Sequence, residues 1–266
     1  MRILCLGDIA GPVALDFVCS RLWRLRKANA IDFVIANGEN CALGNGIDKE
    51  SAEKLFICGC DVITTGNHIW KKKSIRDYLD DCRDIIRPMN YTALENGYGY
   101  TVKDADGVRV LVMNAVGTVY MSDSGVSSPF EAIEAVLEKN KGAYDVSVLD
   151  FHTETTSEKY AIGRYFDGKI DIIFGTHTHV QTADERILPN KTGYITDLGM
   201  CGSDLSILGI KSDIIISRYM GVEGQKFEFD DRDIVICGAI FDTNQNGFGV
   251  SNIKRIKISE RDNYEI

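Results

Sequence analysis

The chain has 266 residues, 44% of them hydrophobic and 26% charged. That is apolar material enough for a full core, which argues against a disordered polymer; the length fits one large α/β domain or two small ones, and one domain over residues 1–266 is the economical reading. The formal net charge of −9 argues against tight, general binding to a nucleic-acid backbone, though not against a small phosphorylated substrate.

Residues 3–6 read as a buried first strand that ends in Gly7-Asp8. The run is too short for a secretory signal, and no stretch approaches the roughly 20 apolar residues of a membrane span, so a cytoplasmic location is expected. Gly11-Pro12 then opens a helix, with Ala14, Phe17, Val18, Leu22 and Leu25 at helical spacing. A second strand, 33–36, ends in Asn37-Gly-Glu-Asn40. After a glycine-bearing loop, Asp48 caps a helix whose apolar face is Ala52, Leu55 and Phe56 and which Gly59 closes. A third strand, 62–64, ends in Thr65-Gly-Asn-His68. A polar helix is expected over 71–79.

Between 85 and 121 the pattern changes to strands and turns. Runs 98–102 and 108–113 flank Asp106-Gly107, a hairpin signal. Ser128-Pro-Phe-Glu131 is a capping box whose helix runs to about residue 140. Strand 146–149 ends in Asp150-Phe-His152, and Thr155-Thr-Ser-Glu158 caps a helix with Ala161, Ile162 and Tyr165 inside. Strand 170–174 leads into Gly175-Thr-His-Thr-His179. Arg186-Ile-Leu and Tyr194-Ile-Thr alternate like strands, and Asp197-Leu-Gly-Met200 follows without an assigned role. Residues 214–226 are weakly helical, and 233–242 with 249–258 read as a closing hairpin. Most of the eight cysteines fall in apolar runs, where a reduced thiol acts as a small hydrophobe. Cys58-Gly-Cys60 has no matching second pair, so structural thiols are expected rather than a zinc knuckle.

Only four histidines occur, and all four follow apolar runs. Residues at i and i+2 of an extended segment point to one side, so His177 and His179 can present two imidazoles to one volume. Asp8, Glu39, Asn40, Asn67, His68, His152, His177 and His179 all lie within a few residues of five strand ends. In a layered α/β fold, ligands sit outside the carboxyl ends of strands, so a shared site is expected. Carboxylate, amide and imidazole donors suit Mn, Fe or Zn. Eight candidates exceed one tetrahedral ion and fit two ions about 3.5–4 Å apart. Singly, Asp8 could cap a helix, Asn37-Gly-Glu-Asn40 and Gly66-Asn67 could be turns, and His68 and His152 could be buried histidines bonded to backbone. Lys71-Lys-Lys73 fits a solvated helix start or a patch that draws anions.

The ordered blocks Gly7-Asp8, Asn37-Gly-Glu-Asn40, Gly66-Asn-His68, Asp150-Phe-His152 and Gly175-Thr-His-Thr-His179-Val-Gln-Thr-Ala-Asp-Glu-Arg186 resemble the calcineurin-like metallophosphoesterases. More closely, the chain is similar to the YmdB-like bacterial 2′,3′-cyclic-nucleotide phosphodiesterases, in order from Asp8 to about Gly202. The resemblance implies an α/β metallophosphoesterase (calcineurin-like) fold, a four-layer α-β-β-α sandwich with two mixed sheets. It implies two metal ions, iron or manganese: one on Asp8, Asn40 and His179, the other on Asn67, His152 and His177, with Glu39 bridging. The superfamily's Asp-x-His block has Ala at position 10 here, a departure the YmdB-like group shares, and the resemblance implies Asn40 in place of the absent histidine. The resemblance also implies that a metal-bridging hydroxide would attack phosphorus, that His68 would act as general acid and that Asp150 would tune a metal-bound histidine. A small cyclic-nucleotide substrate and no membrane partner are expected, and a homo-oligomer is left open. Two other functions stay open: a phosphomonoesterase or nuclease on the same fold, and a non-catalytic metal- or nucleotide-binding regulator.

Overall fold

The computed structural model describes residues 1–93, 96–121, 125–244 and 247–262. The opening strand–helix units form as the patterning predicts. Strand β1 is Arg2–Ile9, helix α1 is Pro12–Ala28, β2 is Phe33–Asn37, α2 is Lys49–Ile57 and β3 is Val62–Thr64. Proline opens α1, and the Asp48 side chain accepts from the Ser51 backbone N–H at the start of α2.

The polar helix expected over 71–79 is displaced. A 3-10 turn at Ile69–Lys71 precedes α3, Ile75–Asp81. Ile69, Ile75 and Leu79 are the buried side chains here, so burial rather than the lysine run sets the helix. Strands β4 (Tyr100–Ala105) and β5 (Val108–Val116) make the expected hairpin. Then come α4 (Pro129–Lys139), β6 (Val146–His152), α5 (Thr156–Tyr165) and β7 (Ile172–Thr176). Thr155 stands at the start of α5 without a side-chain cap. Glu158 instead accepts from Thr118, Val119 and Thr153, tying a neighbouring loop down.

Short strands β8 (Arg186–Ile187), β9 (Gly193–Ile195) and β10 (Met200–Ser203) follow. Helix α6 covers only Ser212–Tyr219, because Gly221 and Gly224 adopt φ of 89° and 88°. Strands β11 (Ile234–Thr243) and β12 (Val250–Ser259) form the antiparallel closing hairpin.

Two six-stranded mixed sheets result, ordered β12-β11-β10-β1-β2-β3 and β4-β5-β6-β7-β9-β8. Alternation along the strands sorts side chains into three apolar layers. Ile3 and Cys5 face the second sheet, meeting Val112, Val148, Ile172 and Phe174. Leu4 and Leu6 face the other way, onto Val18 and Leu22 of α1. Leu111, Leu149 and Ile173 pack under Ile133 of α4 and Ile162 of α5. This is the helix–sheet–sheet–helix sandwich that the family resemblance implies. All eight cysteines are free, and the Cys58 and Cys60 thiols donate to the carbonyls of Leu55 and Val62. No helix among the described residues is long and apolar enough to cross a membrane.

Candidate metal centre

The candidate residues come together at the carboxyl ends of five strands, three from the first sheet and two from the second. A register shift between Leu6 and Asp8 ends the regular part of β1 and delivers Asp8 to the site, fully buried. Glu39 and Asn40 follow β2, and Asn67 and His68 follow β3. Gly66 is required by close approach: a Cβ there would lie 2.2 Å from Glu39 Oε2 and 2.4 Å from His152 Nε2.

His152 ends β6 and is completely buried. Its Nε2 lies 3.2 Å from Glu39 Oε1, 3.1 Å from Asn67 Oδ1 and 3.0 Å from His177 Nδ1. Its Nδ1 donates to Thr176 Oγ1 at 2.9 Å, and the Thr176 hydroxyl donates on to Asp150 Oδ1 at 2.7 Å. That chain fixes a proton on Nδ1, so Nε2 is the nitrogen aimed at the site. Asp150 therefore reaches His152 through Thr176 rather than directly. Asp150 also accepts from Asn37 Nδ2 at 3.0 Å and from the Thr64 hydroxyl, which joins the two sheets beneath the site.

His177 and His179 sit just past β7 with φ of 98° and 63°, unusual for residues with side chains. The turn is clamped by Asp197. Its Oδ2 accepts from Thr178 N at 3.2 Å, Thr178 Oγ1 at 2.8 Å and Lys159 Nζ at 2.6 Å. Lys159 is 1% exposed and also donates to the Thr176 carbonyl. His179 Nδ1 donates to the Leu208 carbonyl at 3.2 Å, which turns Nε2 toward Asp8 Oδ1, 3.8 Å away. The His177 Nε2–H faces Glu154 Oε2 at 3.1 Å, and its backbone N–H donates to Asp8 Oδ2 at 3.0 Å.

Burial pushes the Asp8 carboxyl up, against the pull of His179 and His152. Burial also acts on Glu39, but the charge of His152 and the hydrogen bonds from His152 and His68 outweigh it, and the carboxyl falls well below its usual range. Burial opposes charge on His152, and Glu39 and Asp8 together overcome it and raise the group to about 9. Burial and the neighbouring His152 drive His177 down to about 3. The site thus draws positive charge to the point between Glu39 and Asp8.

This donor set fits metal ions. Asp8 Oδ1 is a buried oxygen without a hydrogen-bond partner. Glu39, His152 and His177 offer ligand atoms all within 4.8 Å of one another. Asn40 is the exception: its Nδ2, a donor, faces Glu39 Oε1 at 3.0 Å and His179 Nε2 at 3.4 Å. A half-turn of the amide would exchange nitrogen for oxygen there. His68 stands at the rim, with Nδ1 2.8 Å from Asn40 Oδ1 and its backbone N–H on Glu39 Oε2.

Ala10, where the resembled superfamily carries a histidine, is enclosed. A Cβ on Gly209 would fall 2.9 Å from Ala10 Cβ, and one on Gly202 would fall 3.3 Å away. The excursion between β10 and β11 fills the space a histidine would need. The sequence reading missed Thr176, Lys159, Asp197 and Glu154. Lys159 had a usable signal: it lies three residues before Ile162 and seven before Phe166, on the buried face of α5.

A family model described as YmdB-like protein matches residues 4–256. A 2′,3′-cyclic-nucleotide 2′-phosphodiesterase from Bacillus subtilis (strain 168) is 36% identical over 260 residues, covering 98% of each chain. The crystal structure of a novel phosphatase from Mycoplasma pneumoniae is similar at a TM-score of 0.91 and 32% identity, covering 97% of this chain and 93% of that one. A hypothetical protein from Thermus thermophilus gives a TM-score of 0.90 at 32% identity, over 97% and 99% of the two chains. The two-sheet sandwich is the metallophosphoesterase fold.

Proposed function

The chain belongs to the YmdB-like protein family, and from that premise we propose a dinuclear metal-dependent phosphodiesterase that hydrolyses cyclic nucleotides, 2′,3′-cyclic ones foremost. The observation that carries this reading is the convergence of Asp8, Glu39, Asn67, His152, His177 and His179 around a buried, unpartnered carboxylate oxygen, with His68 at the rim. The relative from Bacillus subtilis, a phosphodiesterase by name, supports the substrate class.

In this reading Asp8, Asn40 and His179 would hold one ion and Asn67, His152 and His177 the other, with Glu39 serving both. Iron or manganese suits these donors. The ions would supply Lewis acidity, polarising phosphoryl oxygens and acidifying the attacking water. The remaining work falls to the chain. Thr176 and the Leu208 carbonyl fix the protons of His152 and His179 on the nitrogens that face away from the site. His68 lines the open side of the cleft with Nδ1 engaged by Asn40, so its Nε2 is free to carry a proton to the departing ribose oxygen. Residues 1–266 act as one catalytic domain.

The test is hydrolysis of bis(p-nitrophenyl) phosphate by purified protein, before chelation, after it, and after adding back Mn²⁺ or Fe²⁺, followed by 2′,3′-cyclic AMP. Loss on chelation and recovery with metal support the reading. Faster turnover of a monoester than of any diester would move the assignment to a phosphatase. No turnover with any metal would leave a nucleotide-binding regulator.

A further inference from the structure

The cleft over the candidate metal centre has two unlike ends. It encloses about 300 Å³, the lower end of the range for small-molecule sites. One end is formed by Glu39, His68, His177 and His179. The other is an apolar wall of Leu208, Ile210, Phe227 and Phe229. All four wall residues come from the excursion between β10 and β11, which leaves the sheet after Ser203 and rejoins it at Ile234.

The wall is anchored to the centre. The Leu208 carbonyl accepts from His179 Nδ1, so one residue both orients a candidate ligand and starts the wall. Phe229 packs on the turn after β1, where a Cβ on Gly11 would lie 2.7 Å from its ring. Ile210 and Phe229 also pair as an isolated bridge. Phe227, by contrast, is 54% exposed, and Leu208 is 52% exposed. The Arg218 guanidinium lies over the Phe227 ring, 5.1 Å from its centroid. A large aromatic surface held in water beside a phosphate-type centre gains most from a flat ligand that covers it.

We propose that Phe227, backed by Leu208, Ile210 and Phe229, is the platform on which the nucleobase of the substrate stacks. This inference rests on the proposed nucleotide phosphodiesterase function and adds how the base is held. The platform carries no side-chain donor or acceptor. Of the polar side chains nearby, Thr178 is engaged by Asp197 and Glu154 by His177, which leaves Asn45 and Arg218 near a base edge. Stacking accepts any base, because every base has a π-face. The site therefore reads the presence of a base rather than its identity.

The test is equilibrium dialysis of 3′-AMP and of base-free ribose 3-phosphate with the full-length wild type, Phe227→Ala and Phe227→Trp. The ratio of the two affinities is the readout, and it does not depend on turnover. Wild type should prefer 3′-AMP, and the preference should fall roughly tenfold in Phe227→Ala and persist in Phe227→Trp. 3′-CMP should bind wild type within a few-fold of 3′-AMP. An equal loss for both ligands in Phe227→Ala, or no loss for either, overturns the platform. Failure of the catalytic reading is a separate result: a preserved binding preference with no diester hydrolysed under any metal.

Discussion

The two sheets supply the two halves of the candidate centre in different ways. From the first sheet come Asp8, Glu39, Asn40 and Asn67, oxygen-bearing groups that meet one another and His68 across the site itself, as in the contact between Asn40 Nδ2 and Glu39 Oε1. From the second come His152, His177 and His179, each oriented from behind: His152 by Thr176 and Asp150, His179 by the Leu208 carbonyl, His177 by Glu154. The difference follows from the ligand chemistry. A carboxylate offers equivalent oxygens in several directions, whereas an imidazole must have its proton placed on one nitrogen before the other can bind. The oxygen half can therefore be sparse, and the imidazole half needs a buried polar layer.

That contrast predicts different failures. Glu39→Gln should cut diester hydrolysis by more than about 100-fold, since losing even the outer partner of a metal ligand costs about 10- to 100-fold and Glu39 would be a ligand itself. It should leave the melting temperature within about 4 °C of wild type, because the change is isosteric and no supporting group loses its place. Full activity with metal retained would remove Glu39 from the centre.

The Lys159–Asp197 pair should fail in the opposite way. Both side chains are 1% exposed, so Lys159→Met or Asp197→Asn should cost about 3–5 kcal/mol in urea unfolding. Replacing both should cost less than the sum. The strained turn at His177 and His179 would lose its clamp, so metal content measured by elemental analysis should fall along with stability. Stability loss with full metal content would show that the turn holds without Asp197.

The third perturbation is finer. Thr176→Val keeps the shape of the side chain and removes both the acceptor for His152 and the donor to Asp150. Metal affinity should drop about 10- to 100-fold in a chelator competition, the usual cost of losing a partner that orients a ligand. Thr176→Ser should restore it. Unchanged affinity in Thr176→Val would mean that the centre alone orients His152.

The oxygen half was legible in the sequence because strand ends announce themselves: apolar runs stop at Asp8, Asn37 and Thr64, and the polar residues that follow have no core to enter. The histidines were legible for the same reason. The supporting layer was not. Lys159 looks like surface until helical spacing puts it on the buried face, and Asp197 sits in a segment with no period. The apolar wall was equally hidden, since residues 204–232 carry a short helix, three left-handed glycines and isolated bridges rather than a repeating pattern. The lysines at 71–73 misled in the other direction: charge suggested a helix where Ile69 and Ile75 decide the backbone.

The smallest effect tests a charge pair outside both halves. Asp230, 2% exposed, closes the excursion that carries the wall. Its backbone N–H donates to the Gly209 carbonyl, and its carboxylate accepts from Arg232 N at 3.0 Å and Nε at 2.9 Å. Hydrogen bonds from Arg232 hold the carboxyl at about 2, below its ordinary 3.8. A carboxyl lowered on folding stabilises the fold above its unfolded value, and that contribution disappears as pH falls through the folded one. Asp230→Asn should therefore be less stable than wild type at pH 7 by no more than about 1 kcal/mol, since the Arg232 side chain is 63% exposed. The gap should begin to close below about pH 4 and vanish near pH 2. Urea unfolding of both proteins at pH 7, 5 and 3 measures it. A gap that stays constant to pH 3 would assign the effect to packing around Gly209 rather than to the ion pair, and would make the wall depend on shape as the imidazole half depends on hydrogen bonds.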